Sequence, residues 1–182
     1  MEFIPLPIQG AYEIIPKVFR DPRGTFSTVF DSTEFERNGL VSNWLLDNQS
    51  VNLQRGILRG MHFQVPPYSQ TKLVRAVVGR ALDVIVDLRR QSPSFLKVVG
   101  LELDDQRTNM IYVPKGCAHA YLTLTDHCVI SYKVDEIYAP ASEGGLRWND
   151  PDIDFRWPLD GEPVISEKDG KWPLLRDWQN PF

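Results

Sequence analysis

Short apolar stretches that end at glycine, proline, aspartate or asparagine dominate the middle of the chain and restrict it to a β-rich fold. In the stretch 82–88, Leu82, Val84 and Val86 alternate with other residues, so they lie on one face of an extended strand. Runs of this kind occur at 72–78, 82–88, 96–103, 110–113, 119–125 and 128–134. Because short strands separated by turn residues are typical of sandwiches and barrels, the pattern predicts an all-β fold.

The regions on either side of these runs lack the repeated short apolar strands. With 14 prolines and 12 glycines among 182 residues, an all-helical bundle is disfavoured. One short helix is predicted at 31–39, where Asp31 and Ser32 supply capping groups and Asn38-Gly39 ends it. The last 35 residues contain four of the five tryptophans, and we expect irregular segments packed across the β core. We therefore expect one domain over 1–182, with its strand core at about 45–140.

Composition and charge narrow the classes of function. The 20 basic and 24 acidic residues give a formal net charge of −4, which provides no basis for a nucleic-acid or anionic-membrane surface. No apolar run approaches the roughly 20 residues of a membrane helix, and the first residues lack a signal-peptide pattern. Two cysteines, Cys117 and Cys128, are too few for a disulfide framework, so a reducing compartment is expected. The prediction is a soluble, cytoplasmic protein.

Three histidines are the first candidates for chemistry. His62 and His119 each come shortly after a glycine in a β context, but either one alone is more simply a half-buried residue bonded to backbone. His127, in a turn, is more simply solvated. A metal site needs three or more ligands, yet His62 has no His-x-His partner and Cys117 is more simply an apolar core residue. Metal binding is disfavoured at this point but stays an alternative.

Tyr132 and Lys72 are candidates for proton transfer. Alternation places Tyr132 on one face with Cys128 and Ile130, which we interpret as the inner face. A tyrosine there is ordinarily a core aromatic, but it can also serve as an acid inside a barrel. Lys72 opens an apolar strand and would by itself be an exposed strand-end cation. The run 166–169 would by itself be a solvated turn.

A long set of motifs, taken in order along the chain, is more specific than any one of these residues. The motifs are Pro16-Lys17-Val18-Phe19, Asp21-x-Arg23-Gly24, Asp47-Asn48-x-Ser50, Leu58-Arg59-Gly60-Met61-His62-Phe63-Gln64, Lys72-Leu73-Val74-Arg75, Asp83-Val84-x-Val86-Asp87-Leu88-Arg89, Pro114-x-Gly116-x-Ala118-His119, Tyr132-Lys133, Ser142-Glu143-Gly144 and Ser166-Glu167-Lys168-Asp169. Over nearly its whole length the sequence resembles the dTDP-4-dehydrorhamnose 3,5-epimerases of nucleotide-sugar biosynthesis. The resemblance implies a cupin-type jelly-roll β-sandwich, a homodimer that exchanges N-terminal strands, and no metal or redox cofactor.

The resemblance also implies roles for individual residues. His62 would be the general base, Asp169 its orienting carboxylate, and Tyr132 the general acid on the opposite face of the sugar. Lys72 would lie near the C4 oxygen of the sugar. The residues that would shape the nucleotide, diphosphate and sugar pocket are Arg23, Asp47, Asn48, Arg59, His119, Tyr138, Glu143 and Lys168.

These residue types suit the chemistry of a 4-keto sugar. The hydrogens at C3 and C5 are both α to the carbonyl, so removal of either leaves an enolate with its charge on the C4 oxygen. Histidine is a base with a pKa near working pH, and an ammonium stabilises an oxygen on which charge develops. Inversion needs a proton from the other face of the ring. We therefore predict an isomerase that inverts C3, C5 or both of dTDP-4-dehydro-6-deoxy-D-glucose.

A few positions depart from the family pattern. Thr28 stands where the family commonly has a glutamate, and Leu46 where a glutamine is common. Around His119, Cys117 and Ala120 stand in place of the usual aromatic residue and glycine, and Tyr121 follows them. These changes bear on nucleotide recognition more than on proton chemistry. Two other classes stay open: a metal-dependent cupin enzyme that uses two histidines as ligands, and a non-catalytic sugar-nucleotide-binding protein.

Arg59 and His62 pose a geometric problem. Regular alternation would place them on opposite faces of a strand, although both are expected at one pocket. We predict a bulge or bend at Gly60 that brings both side chains to the same side.

Overall fold

Antiparallel β-strands make up most of the regular structure in the computed structural model, which describes residues 1–182. The strands are β1 (Glu2–Pro5), β2 (Tyr12–Ile15), β3 (Val18–Asp21), β4 (Gly24–Ser27), β5 (Leu46–Asn52), β6 (Leu58–Gln64), β7 (Lys72–Val78), β8 (Arg80–Asp87), β9 (Val98–Asp104), β10 (Met110–Val113), β11 (Cys117–Thr123), β12 (Cys128–Val134) and β13 (Glu143–Gly145). One α-helix, α1 (Ser32–Arg37), precedes β5. Short 3-10 turns lie at Pro140–Ser142, Asp169–Lys171 and Leu175–Asp177.

Two of the sheets face each other. The first has the strand order β1-β2-β10-β7-β12-β5 and the second the order β13-β6-β11-β8-β9, while β3 and β4 form a separate hairpin. The central core combines side chains from both sheets, such as Val74 and Ile130 from the first and Ile85 and Val99 from the second. The predicted all-β sandwich is confirmed.

All six strands predicted from alternation are present. β7, β10 and β12 have the predicted bounds. β11 begins two residues before its own predicted start, and β9 begins two residues after its own. β9 begins late because Leu96 has a φ of +60°, which an extended strand does not accommodate.

The sandwich extends beyond the 45–140 expected for its core. β1 and β2 add two strands to the first sheet, since β2 pairs with β10, and β13 adds an edge strand to the second by pairing with β6. β1 and β2 have four residues each and flank a segment that contains Pro7.

The helix α1 confirms the helix predicted at 31–39. The carboxylate of Asp31 accepts hydrogen bonds from the backbone N–H groups of Thr33 and Glu34, which caps the N-terminus. Gly39, just past the helix end, has a φ of +68°. Phe35 is fully buried against the outer face of the first sheet, so α1 covers part of that face.

The C-terminal segment, 146–182, covers the outer face of the second sheet. Leu146, Ile153 and Trp157 are buried there against side chains such as Val84 and Val86 of β8. The segment contains few regular elements, so its large side chains fix its path by the apolar area that they bury. This packing carries the turn at Asp169–Lys171 next to β6.

The predicted bulge at Gly60 is confirmed. His119 pairs with His62 and Tyr121 pairs with Arg59, so a step of two residues on β11 spans a step of three on β6. Gly60 has a φ of +131°, and a Cβ added there would lie 2.7 Å from the carbonyl oxygen of His119. The extra residue turns Arg59 and His62 toward the same side of the sheet.

The remaining expectations concern the cysteines, His127 and membrane helices. Cys117 and Cys128 are buried free thiols, and both lie in the central core, as expected for Cys117. His127 is exposed in a turn. None of the helices has the length and apolar character that crossing a membrane requires.

Candidate active site

A cavity of about 160 Å³ lies between the two sheets. The residues that line it are Arg59 and His62 from β6, His119 and Tyr121 from β11, Ser50 from β5, Lys72 from β7 and Tyr132 from β12. The first four come from the second sheet and the last three from the first sheet. The sandwich therefore surrounds one space with basic groups and phenols that reach it from two opposite walls.

His62 and Asp169 form a hydrogen-bonded pair in which Nε2 of the imidazole lies 2.6 Å from Oδ1 of the carboxylate. Asp169 is buried, its backbone N–H donates to Ser166 Oγ, and its Oδ2 accepts from the backbone N–H of Gly60 at 3.4 Å. Burial acts to raise the pKa of Asp169, but the hydrogen bond and charge of His62, together with the contacts to Gly60 and Ser166, outweigh burial and lower that pKa below the usual value. An ionised carboxylate thus binds Nε2, which leaves Nδ1 of His62 for a substrate.

Lys72 contributes an ammonium group from the first sheet. Its side chain is half-buried at the start of β7, on the same face as the core residues Val74 and Ala76. Burial lowers the pKa of Lys72 to about 8, although the negative charges of Asp83 and Glu143 act to raise it. Lys72 is therefore not the exposed strand-end cation that its position in the sequence suggested by itself.

Tyr132 reaches the cavity from the sheet opposite His62. It lies on the inner face of β12 with Cys128 and Ile130, as alternation predicted. Burial raises the pKa of the Tyr132 phenol above its usual value, while the positive charge of Arg59 acts to lower it. The phenol therefore carries its proton at neutral pH and is able to donate it.

His119 forms a second imidazole–carboxylate pair, in which its Nε2 lies 2.8 Å from Oδ2 of Asp83. Both side chains are buried. Burial lowers the pKa of His119, against the contrary effect of Asp83, and the positive charge of Lys72 lowers it further. A neutral His119 donates its Nε2–H to Asp83, and Oδ1 of Asp83 has no hydrogen-bond partner.

A larger cavity of about 340 Å³ adjoins the first and shares Arg59 and His62 with it. Lys168 and Asp169 line its other side. Lys168 forms an ion pair of 2.5 Å with Glu143, which also accepts a hydrogen bond of 2.8 Å from the hydroxyl of Tyr138. These three predicted site residues form a cluster beside the pair of His62 and Asp169.

Asp47 does not face the cavity. Adjacent strand residues point to opposite sides, so Asn48 and Ser50 of β5 face inward and Asp47 faces outward. On the outer face, the carboxylate of Asp47 accepts a hydrogen bond of 2.7 Å from Lys133 Nζ. Asn48 lies directly across from Tyr132 in the register of β5 and β12. The motif that contains Asp47 and Asn48 did not show that the two residues lie on opposite faces of β5.

Arg23 also lies outside the cavity of its own chain. It is at the turn of the β3–β4 hairpin, where its guanidinium forms an ion pair of 2.5 Å with Asp21 and its side chain is 89% exposed. The hairpin belongs to neither large sheet. Within one chain, the structure does not bring Arg23 to the residues with which it was grouped.

Three residues at the site were given no role from the sequence: Asp83, Ser50 and Tyr121. Asp83 lies between Ala81 and Ile85, which belong to the central core, so a charged residue on the buried face of a strand was the available signal. Ser50 lay within a quoted motif, and alternation from Asn48 would have placed it inside.

A metal-binding arrangement is not formed by these residues. No group of three or more His, Cys, Asp or Glu side chains could hold a metal ion. His62 and His119 are opposite each other in register, but Nε2 of each imidazole contacts its own carboxylate.

Comparison with known proteins identifies the family of a chain that has this imidazole–carboxylate pair, facing phenol and half-buried ammonium. The family model of dTDP-4-dehydrorhamnose 3,5-epimerase matches residues 5–177. This chain belongs to that family. It is therefore an isomerase, and its sandwich is of the cupin type that the resemblance implied.

Relatives of this epimerase cover almost the same length. The dTDP-4-dehydrorhamnose 3,5-epimerase of Methanothermobacter thermautotrophicus is 41% identical over 177 residues, which is 96% of this chain and 95% of the relative. The Legionella pneumophila enzyme, solved in complex with dTDP-4-keto-L-rhamnose, has a TM-score of 0.91 and 34% identity over 96% of this chain and 93% of its own. A 3'-monoepimerase from Streptomyces bikiniensis in complex with dTDP-quinovose has a TM-score of 0.90 and 35% identity over 95% of this chain and 87% of its own.

We predict that the Lys72 ammonium titrates with a midpoint near pH 8, because the cavity walls exclude water from it. NMR of 15N-labelled lysine side chains gives this midpoint, and Lys72→Arg identifies the signal. In Glu143→Gln the midpoint should move lower, since that variant removes a negative charge that favours the ammonium. A midpoint close to 10.5, unchanged by Glu143→Gln, would contradict the cavity electrostatics described above.

Proposed function

We propose that this epimerase inverts C3, C5 or both of dTDP-4-dehydro-6-deoxy-D-glucose, with dTDP-4-dehydro-L-rhamnose as the product of inversion at both carbons. The observation that carries the proposal is the position of His62 and Tyr132 on facing sheets of one cavity. The complex of the Legionella pneumophila relative with dTDP-4-keto-L-rhamnose supports the substrate class. The 3'-monoepimerase is about as similar to this chain as the Legionella pneumophila enzyme is. The proposal therefore includes inversion at one carbon as well as at both.

His62 is the proposed base. Its Nδ1 takes the proton from C3 or C5, the electron pair of the broken C–H bond forms a carbon–carbon double bond, and the carbonyl electrons move to the C4 oxygen. Asp169 accepts the Nε2–H, fixes the ring orientation and stabilises the imidazolium that forms.

Lys72 is the proposed partner of the enolate oxygen. Below its pKa of about 8 the ammonium carries a positive charge, and in a largely enclosed cavity that charge stabilises an oxyanion more strongly than it would in water. The charge on the C4 oxygen develops only as the proton leaves carbon. The interaction therefore favours the transition state over the bound ketone.

Tyr132 is the proposed acid. From the opposite sheet it gives its proton to the other face of the enolate carbon, and the C4 carbonyl re-forms. The phenolate left behind then takes a proton from solvent, and the imidazolium of His62 releases its proton to solvent. The raised pKa of the phenol keeps the proton in place until a carbanion-like carbon accepts it. Two groups on opposite walls thus convert proton exchange into inversion.

The nucleotide and diphosphate are proposed to lie along the adjoining cavity. Arg59 is at the boundary between the two cavities, and an arginine suits a diphosphate because its planar guanidinium gives paired charge-assisted hydrogen bonds. Lys168, Glu143 and Tyr138 are proposed to contact the sugar nucleotide, together with Asn48 from β5. His119 is proposed to contact the substrate near Lys72.

We further propose a homodimer in which the β3–β4 hairpin of one subunit completes the site of the other. The position of Arg23 supports this, since it is exposed on a hairpin outside both sheets. Phe19 and Phe26 on the same hairpin are 53% and 69% exposed, which is costly for large apolar side chains unless another surface covers them. The free buried cysteines support a cytoplasmic location.

The rate of epimerisation in deuterium oxide tests the proposed roles of His62 and Tyr132. NMR of the product should detect deuterium at each inverted carbon, because the proton that arrives comes from a group in exchange with solvent. His62→Ala and Tyr132→Phe should each lower the rate about 10²–10⁴-fold if these groups perform acid–base catalysis.

The matched controls are His127→Asn, which changes an exposed turn histidine, and Tyr12→Phe, which removes a hydroxyl from β2. Both should keep the wild-type rate within about two-fold, since His127 is exposed and Tyr12, half-buried in the cluster around Phe35, does not line the cavity. Product without deuterium, or a His62→Ala rate equal to that of the controls, would refute the proposed mechanism.

Complementation between inactive variants tests the shared site. Arg23→Ala and His62→Ala should each form nearly inactive homodimers, because each site needs both residues. Co-expression of the two at equal amounts should restore about a quarter of the wild-type activity, since half of the dimers are mixed and each mixed dimer has one intact site. If Arg23 served the site of its own chain, the mixed dimers would contain no intact site, and no activity would return.

A further inference from the structure

Tyr121 is a buried phenol at the cavity that the proposed proton transfers do not use. It is 5% exposed and its ring belongs to the central core. On the neighbouring strand its register partner is Arg59, and residues directly opposite each other in a sheet point to the same side. The hydroxyl of Tyr121 is therefore close to the residue proposed to bind the diphosphate.

A polar network connects the hydroxyl of Tyr121 to the guanidinium of Arg59. The hydroxyl lies 2.7 Å from Ser50 Oγ and donates to Asn52 Oδ1 at 3.4 Å. Arg59 Nε donates to the same Asn52 Oδ1 at 2.9 Å. One amide oxygen thus contacts both the phenol and the arginine.

The orientation of Asn52 is fixed by a further contact. Its Nδ2 donates to the backbone carbonyl of Cys128 at 3.0 Å, so its Oδ1 must point toward Arg59 and Tyr121. Asn52 is only 1% exposed, which means that a lost partner would not be replaced by bulk water. Such a buried network restricts every side chain that belongs to it.

The guanidinium of Arg59 uses Nε for this network, which leaves its two terminal nitrogens for another partner. A guanidinium held at Nε presents those two nitrogens in one plane, the geometry that bidentate phosphate recognition needs. We propose that Tyr121 is a positioning residue, which through Asn52 and Ser50 orients Arg59 toward the diphosphate of the substrate. This inference rests on the proposed function, because that function supplies the diphosphate.

The Tyr121→Phe variant removes the hydroxyl and keeps the ring in the core. The dissociation constant of dTDP, measured by titration calorimetry, should rise about 3- to 10-fold, the effect of losing roughly one net hydrogen bond. The KM for the sugar nucleotide should rise by a similar factor, while kcat stays within about two-fold. A role confined to stability would lower the melting temperature without separating KM from kcat. Ser50→Ala should change dTDP binding in the same direction.

A double-mutant cycle with Arg59→Ala tests the route of the effect. In the Arg59→Ala background, Tyr121→Phe should change dTDP affinity by less than about 1.5-fold, because the group that it positions is gone. An equal loss in both backgrounds, or an unchanged dissociation constant in Tyr121→Phe alone, overturns the inference.

The outcomes also separate this inference from the proposed function. If the wild-type protein epimerises the sugar nucleotide and Tyr121→Phe binds dTDP equally well, the inference alone fails. If the wild type binds dTDP in a Tyr121-dependent way and gives no epimerisation, the proposed function alone fails. A wild type that does not bind dTDP overturns both.

Discussion

The hydrogen bond between Nε2 of His62 and Asp169 connects the fold to the chemistry. It joins a strand in the middle of the chain to a turn in the C-terminal segment, which the packing of large side chains holds against the second sheet. A histidine alone is an ordinary strand residue. When His62 is paired with an ionised, buried carboxylate, its Nε2 is hydrogen-bonded to that carboxylate and its ring orientation is fixed. Its Nδ1 is left to contact a substrate. The tryptophan-rich segment therefore has a role beyond covering apolar surface, because it delivers the carboxylate.

The second constraint is the distribution of charge between the two walls. The second sheet contributes the imidazoles and a guanidinium, while the first contributes an ammonium and a phenol. Burial lowers the pKa of Lys72 and raises that of Tyr132, so both are protonated at neutral pH up to the value of about 8 for Lys72. Asp83 moderates the effect of burial on Lys72 and also binds His119. The cavity thus contains His62, Tyr132 and Lys72 as base, acid and cation. Both of its histidines are hydrogen-bonded to a carboxylate.

Alternation of apolar residues was sufficient to predict the sandwich and the inner face of Tyr132, because both depend on the period of two in single strands. The same rule, applied to Arg59 and His62, indicated a conflict that a bulge at Gly60 resolves. The resemblance supplied Asp169, whose burial depends on packing between distant segments and has no local signal. The outward orientation of Asp47 was not evident from its motif, because a motif records sequence neighbours and not strand faces. Arg23 could not be placed from one chain, since its hairpin joins neither sheet.

The central claim is that removal and return of the proton occur on opposite faces of one enolate. Deuterium in substrate recovered from Tyr132→Phe measures this most directly. The account predicts that His62 still removes the proton and returns deuterium to the same face, so that the recovered 4-keto sugar is labelled at C3 or C5 with its original configuration and little inverted product forms. His62→Ala should give neither label nor inversion. Inverted product from Tyr132→Phe at the wild-type rate, or label in the substrate recovered from His62→Ala, would contradict the account.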